Sequence, residues 1–216
     1  MQEIHQNYQP AVAANRYKNV IFDLGGVLIY FNPRELIEKI FVDFDEKPYA
    51  LVQAVHTKPW LDMDRGKLTV PEVAQALAGT YDSAQVSHFL ASIPTYLHPL
   101  ADGLQILQEV KSRGYKVFVL SNLSGYAHEA VLRHAGFFDL FDGAIFSYQV
   151  GFAKPDPEIY QALLTKYNLV ADECVFIDDL VKNIDAGKAL GIDGIVCDDH
   201  TKVRGELVAR GILEAQ

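Results

Sequence analysis

Four short runs of valine, isoleucine and phenylalanine lead into residues that carry chemistry, and that placement restricts the chain to few folds. Val20-Ile21-Phe22 runs into Asp23, Val117-Phe118-Val119-Leu120 into Ser121-Asn122, and Val175-Phe176-Ile177 into Asp178-Asp179. Ala144-Ile145-Phe146 leads on to Lys154-Pro155-Asp156-Pro157. Runs this short and this apolar read as strands buried on both faces, the habit of parallel sheets. Open parallel sheets place their ligands beyond the carboxyl ends of the strands. One sheet edge therefore gathers an Asp, a hydroxyl with an amide, a Lys and a carboxylate pair, the inventory for covalent phosphoryl transfer with a divalent cation.

The expected strands are 19–24, 116–120, 144–146, 174–177 and 194–197. Helical patterns alternate with the later ones. Leu104, Leu107 and Val110 share a face that Gly114 ends, and Ile159, Leu163, Leu164 and Tyr167 make another, with Asp156 as cap and Pro157 in its first turn. A third helix over 183–190 stops at Gly191. This alternation predicts an α/β fold with a doubly wound parallel sheet. Residues 32–99 break the rhythm, because they carry only helical signals. Asn32-Pro33 reads as a cap before the stripe Leu36, Ile37, Ile40 and Phe41. Thr69-Val70-Pro71-Glu72 has the form of a capping box, and Pro94 and Pro99 mark the return to the sheet. The expected division is a loose tail over 1–17, a Rossmann-like core over 18–31 and 100–216, and a helical cap over 32–99 that can cover the Asp23 end of the sheet.

Charge and cysteine usage narrow the partners. The net charge of −9 over 216 residues argues against a nucleic-acid backbone as partner. No apolar stretch approaches the roughly 18 residues that span a bilayer, so no membrane partner is expected. The first residues lack the apolar core of a signal peptide, and a cytoplasmic enzyme, monomer or homodimer, is the expectation. Cys174 and Cys197 lie in apolar runs and read as reduced core thiols.

The pieces Phe22-Asp23-Leu24-Gly25-Gly26-Val27, Leu120-Ser121-Asn122, the run from Gly151 to Tyr160 around Lys154-Pro155-Asp156-Pro157, and Phe176-Ile177-Asp178-Asp179 with Asn183 stand in one order over residues 19–198. In that order they resemble the haloacid dehalogenase-like hydrolase superfamily, in the branch with a helical cap after the first strand. The resemblance implies Asp23 as a nucleophile that forms an aspartyl-phosphate. It implies Lys154 as the cation that neutralises nucleophile and phosphoryl oxygens, and Ser121 and Asn122 as phosphate contacts. Mg²⁺ would be held by Asp23, the Gly25 carbonyl, Asp178 and Asp179, with Asp179 the more direct of the last two. Asn183 would orient a metal ligand or simply cap a helix. The substrate implied is a small phosphorylated metabolite, a sugar phosphate or similar.

Gly25 departs from the pattern, since phosphatases of the family usually carry an Asp there as general acid and base. Losing that help costs about 10²–10⁴ in rate. Glycine also occurs there in members resembling glucose-1-phosphate phosphatases, and the 64–69 segment is similar to that subgroup. Asp62, Asp64 and His56 are candidate substitutes from the cap. Arg65 either clamps a substrate anion or is a salt-bridged arginine of the turn. Trp60 and Met63 read as cap core, and His88, His98, His128 and His134 have no ligand spacing. Two other functions compete: a phosphate-binding or regulatory protein with little turnover, and, less favoured, a metal-free dehalogenase, which has no use for the Asp178-Asp179 pair.

Overall fold

The computed structural model describes residues 15–133 and 135–215. The expected tail lies outside the described residues up to residue 14, as does His134. In chain order the elements are β1 (Asn19–Phe22), β2 (Ile29–Tyr30), α1 (Pro33–Ile40), α2 (Lys58–Asp64), α3 (Val70–Leu77), α4 (Ser83–Tyr96) and β3 (His98–Pro99). They continue with α5 (Ala101–Ser112), β4 (Lys116–Ser121), α6 (Gly125–Leu132), β5 (Gly143–Phe146), α7 (Ser147–Val150) and α8 (Pro157–Tyr167). The last are β6 (Cys174–Asp178), α9 (Val181–Ala189), β7 (Asp193–Val196) and α10 (His200–Ala209).

The apolar runs form a five-stranded parallel sheet in the order β5-β4-β1-β6-β7, the α/β architecture that the sequence predicts. Successive side chains of a strand point to opposite faces, and each face has its own cover. Val20, Phe22, Val117, Val119, Val175 and Ile177 belong to one apolar cluster. Ile21, Phe118, Leu120 and Phe176 belong to a second, with Ile159, Tyr160 and Leu163 of α8 and Ile184 of α9. Strand β1 is central, and the chain builds outward from it first through β4 and then through β6. The crevice beyond the end of β1 is thus the switch point where such sheets bind ligands.

Helices α1 to α4 leave the sheet after β1 and return before β4. Their apolar faces, including Leu36, Ile37, Trp60, Phe89 and Leu90, belong to the same cluster as the first sheet face. The insert therefore continues the core and does not close a separate one. Its two legs are joined by the antiparallel pair β2 and β3, with Ile29 opposite Pro99 and Tyr30 opposite His98. Leu100 N donates to Leu28 O at 2.9 Å. Two-residue strands leave no periodic signal, so this ladder is not readable from the sequence.

Most expected helix ends hold. Asn32 Oδ1 accepts from Arg34 N and Glu35 N at 3.1 and 3.2 Å, and Thr69 N donates to Glu72 Oε2 at 2.7 Å. Two do not. Pro94 lies inside α4, which runs on to Tyr96. Asp156 stands at the cap of α8 without bonding its amides, because its Oδ2 accepts instead from Arg65 at 2.9 Å. Residues 15–17 are bonded to other parts of the chain: Asn15 Nδ2 donates to Tyr115 Oη at 2.8 Å, and Tyr17 Oη donates to Asp193.

Asp193 opens β7 and also accepts from Arg210 Nε at 2.9 Å and Gly194 N at 2.7 Å. Burial works against its charge, but Arg210, Tyr17 and the Gly194 amide outweigh it and hold the carboxyl below its ordinary value of 3.8. A depressed folded pKa gives stability that is present above the unfolded value and lost as pH falls through the folded one. Asp193→Asn is expected to cost on the order of 1–2 kcal/mol at pH 7. The gap to wild type should start to close below pH 3.8 in urea titrations; a gap constant from pH 7 to pH 3 would show that the charge contributes nothing.

Candidate active site

The loop after β1 turns sharply, with Leu28 N and Ile29 N both donating to Leu24 O at 2.8 Å. Asp23, at the strand tip, is 7% exposed. Its Oδ1 accepts from Leu24 N at 2.7 Å and lies 2.8 Å from Lys154 Nζ. Among the described residues nothing bonds its Oδ2. Lys154 Nζ also donates to Asp178 Oδ2 at 2.6 Å, and 1% of the Lys154 side chain is exposed. Burial pulls its ammonium down, but Asp23 and Asp178 together leave its pKa above the ordinary lysine value.

Asp178 is fully buried and spends both oxygens inside the protein. Oδ1 accepts from Leu180 N at 2.8 Å and Asn183 Nδ2 at 2.9 Å, while Oδ2 holds Lys154. Asp179 beside it is exposed and packs on Gly26. A Cβ on Gly26, whose φ is +71°, would stand 2.7 Å from Asp179 Oδ2. Burial, then Asp178, pushes the Asp179 carboxyl up to about 6. Burial pushes Asp23 up to about 7, with Lys154 opposing and Asp178 and Asp179 adding.

These groups fit a hard divalent cation. One oxygen from each of Asp23, Asp178 and Asp179 lies within 4.8 Å of the others, and these three carboxylates face the buried Lys154 ammonium and, on the Asp179 side, the exposed Lys182. Asn183 Oδ1 is buried without a partner among the described residues, an acceptor left over beside the cluster. Oxygen ligands with excess negative charge suit Mg²⁺, which keeps several waters.

Asn122 and Arg65 both have partners within the protein. Asn122 lines the cavity, and its side chain also bonds the Lys154 backbone: Oδ1 accepts from Lys154 N at 2.7 Å and Nδ2 donates to Lys154 O at 2.9 Å, which leaves its second N–H as a donor. Arg65 is paired with Asp156 at 2.9 Å and does not line the cavity at Asp23, so it is the salt-bridged arginine and not an anion clamp. Ser121 fits the expectation better, being 2% exposed and in the cavity wall. Gly25 also lines the cavity, and a Cβ there would meet nothing within 4 Å.

Of the substitute acids, Asp62 is excluded by position. It pairs with Lys58 and stands outside the cavity wall. Asp64 and His56 line the cavity with Asp23 and Lys154. Burial pushes Asp64 up to about 7, against a hydrogen bond from Trp60 and the Arg65 charge. Ser147, which the sequence reading missed, fixes this turn. Its side chain is fully buried, accepts from Leu123 N at 2.9 Å and donates to Asp64 O. It directly follows Phe146 at the tip of β5, the same placement that nominated Ser121.

A family model described as haloacid dehalogenase-like hydrolase matches residues 17–191. Sesquiterpene phosphatase astK of Aspergillus oryzae is 28% identical over 193 residues, 88% of this chain and 95% of that protein. D-ribitol-5-phosphate phosphatase of Bacteroides thetaiotaomicron is 24% identical over 207 residues, 88% and 96% of the two chains. A solved magnesium complex of a HAD family enzyme from that bacterium has a TM-score of 0.61 at 26% identity, covering 83% of this chain and 92% of its own.

Gly66 follows this turn with φ +70°, and a Cβ there would lie 2.6 Å from Tyr148 O. Gly66→Ala is expected to cost about 1–3 kcal/mol through that clash and the left-handed backbone. Urea unfolding should show a lower midpoint at unchanged slope; an unchanged midpoint would mean that the turn is not held against α7.

Proposed function

The chain belongs to the haloacid dehalogenase-like hydrolase family, and on that premise we propose that it is a Mg²⁺-dependent phosphatase acting on a small phosphomonoester through an aspartyl-phosphate on Asp23. The observation that carries this reading is the state of Asp23: Oδ1 is fixed by Leu24 N and Lys154, and Oδ2 is unbonded in the wall of a cavity. Oδ2 attacks phosphorus as the bond to the leaving alcohol breaks. Water then attacks the aspartyl-phosphate, releases phosphate and restores the carboxylate. Splitting one displacement into two is the gain of covalent catalysis. Lys154 offsets charge on the nucleophile and on the phosphoryl oxygens, and the Ser121 hydroxyl binds one of those oxygens. Asp23, Asp179 and the Gly25 carbonyl would hold Mg²⁺, while Asp178 and Asn183 support them. Bound there, the cation neutralises phosphate charge and orients the group.

Asp64 takes the proton role that Gly25 cannot fill. Held protonated by its surroundings, it donates to the leaving oxygen, and as carboxylate it accepts a proton from the attacking water. Residues 32–99 act as the cap that brings it to the site. The relatives' names span a terpenoid and a sugar alcohol, so they do not choose the organic group.

Hydrolysis of p-nitrophenyl phosphate with Mg²⁺, with chelator, and by Asp23→Asn tests the reading. Turnover that chelator and mutation both abolish is the expected result. No turnover by folded wild-type protein would favour the binding-protein alternative, in which Gly25 marks lost catalysis. Asp64→Asn is expected to slow the first step, read as pre-steady-state release of the alcohol, about 10²–10⁴-fold for an alkyl phosphate and less than about tenfold for the aryl ester, whose leaving group needs no proton; hydrolysis of the shared aspartyl-phosphate should slow alike for both. Equal losses in the first step on both esters would remove Asp64 as the acid.

A further inference from the structure

The cavity that holds Asp23 and Lys154 extends under the insert and has a volume of 330 Å³. Residues 32–99 give its wall ten side chains, and only His56 and Asp64 among them are titratable. The others are apolar or aromatic, including Val55, Trp60, Val70, Leu90, Ile93 and Leu97. The Trp60 indole N–H is the other polar group of this wall. The remaining polar lining comes mainly from the strand tips and the loops after them, which is the phosphate end. Leu180, 45% exposed, and Tyr126, 39% exposed, line the same cavity.

We infer that the substrate is the monophosphate of an apolar alcohol, a deepening that rests on the phosphatase reading above. A sugar would bring several hydroxyl groups against this wall. Each one left without a partner weakens binding by roughly tenfold or more. An alkyl or isoprenoid chain instead removes its own surface and that of the wall from water. At about 30 Å³ per water-sized group, the cavity has room for on the order of ten heavy atoms with the phosphate included, about six of them beyond it. That is too little for a two-chain phospholipid and enough for one short chain. This class stands against the sugar-phosphate expectation, which rested on the resemblance at Gly25 and the 64–69 segment, and the substrate series decides between them.

The experiment is steady-state hydrolysis, with Mg²⁺, of n-alkyl monophosphates from methyl to dodecyl, below their aggregation concentrations, beside glucose 1-phosphate and glucose 6-phosphate. The expected result is a kcat/KM that climbs by up to about fourfold per buried methylene, levels near about six carbons, and exceeds both sugar phosphates. Val55→Trp, which fills part of the wall, should move that plateau to shorter chains. A flat alkyl series with sugar phosphates at least tenfold better would overturn the inference and leave the phosphatase reading standing. Absence of turnover on every ester, p-nitrophenyl phosphate included, would overturn the phosphatase reading instead. Calorimetry with decyl and ethyl phosphate then decides the inference alone: tighter decyl binding with a negative heat-capacity change supports it, and equal binding overturns it.

Discussion

Lys154 stands between Asp23 and Asp178 with almost no contact with water, and the arrangement of the sheet edge depends on that ammonium. Asp23 ends β1 and Asp178 ends the neighbouring strand β6, so the sheet brings two carboxylates together in a poorly solvated place. Removing one partner of a buried ion pair costs about 3–5 kcal/mol, because the other charge is left without water or counterion. The Lys154 segment is accordingly fixed by Asn122 from the end of β4, which bonds both its N–H and its C=O. One cation thus ties together the tips of three adjacent strands. It does not balance them, since Asp179 adds a third carboxylate. On the proposed reading a divalent cation would neutralise that excess before a phosphate dianion approaches.

The insert is aligned to this cluster by two contacts that meet at one turn. Arg65 pairs with Asp156, two residues after Lys154, and Ser147 holds the carbonyl of Asp64. The turn that carries Asp64 is therefore braced against the segment that carries Lys154. Asp64, the proposed acid, and Lys154 thus keep their spacing even though they lie about ninety residues apart. The β2–β3 ladder fixes the other end of the insert at the mouth of the loop after Asp23.

The fold was legible because fully buried parallel strands need continuous apolar runs, and each such run here ends in a distinct chemical residue. Asp23, Ser121, Asp178 and Asp179 could be nominated because strand ends fix their position, and Lys154 because the Pro155-Asp156-Pro157 run after it marks a helix entry. Asn122 and Arg65 could not be settled from the sequence for a common reason. An amide or a guanidinium serves a phosphate or a neighbouring backbone and carboxylate equally well, and only the fold says which partner is in reach. Asp156 shows the same limit, since its sequence setting suits a cap and Arg65 claims it. The cavity was hidden for another reason. Trp60, Leu90 and Ile93 repeat with helical spacing whether they pack on protein or face a void.

Gly25 and the apolar wall form one problem with one solution. An aliphatic alcohol is a poor leaving group and needs a proton more than an aryl or anomeric phosphate does, so the substrate class inferred here is the one for which an acid matters most. Glycine at position 25 leaves open space where that acid usually stands. Helix α2 supplies both Trp60 to the apolar wall and Asp64 to the site. The burial that makes the wall favourable to a hydrocarbon also raises Asp64 to about 7, where a carboxylic acid still holds its proton near neutral pH. An apolar tail that fills the cavity excludes further water and strengthens that effect. On the proposed reading, recognition of the tail and protonation of the leaving oxygen draw on the same desolvation.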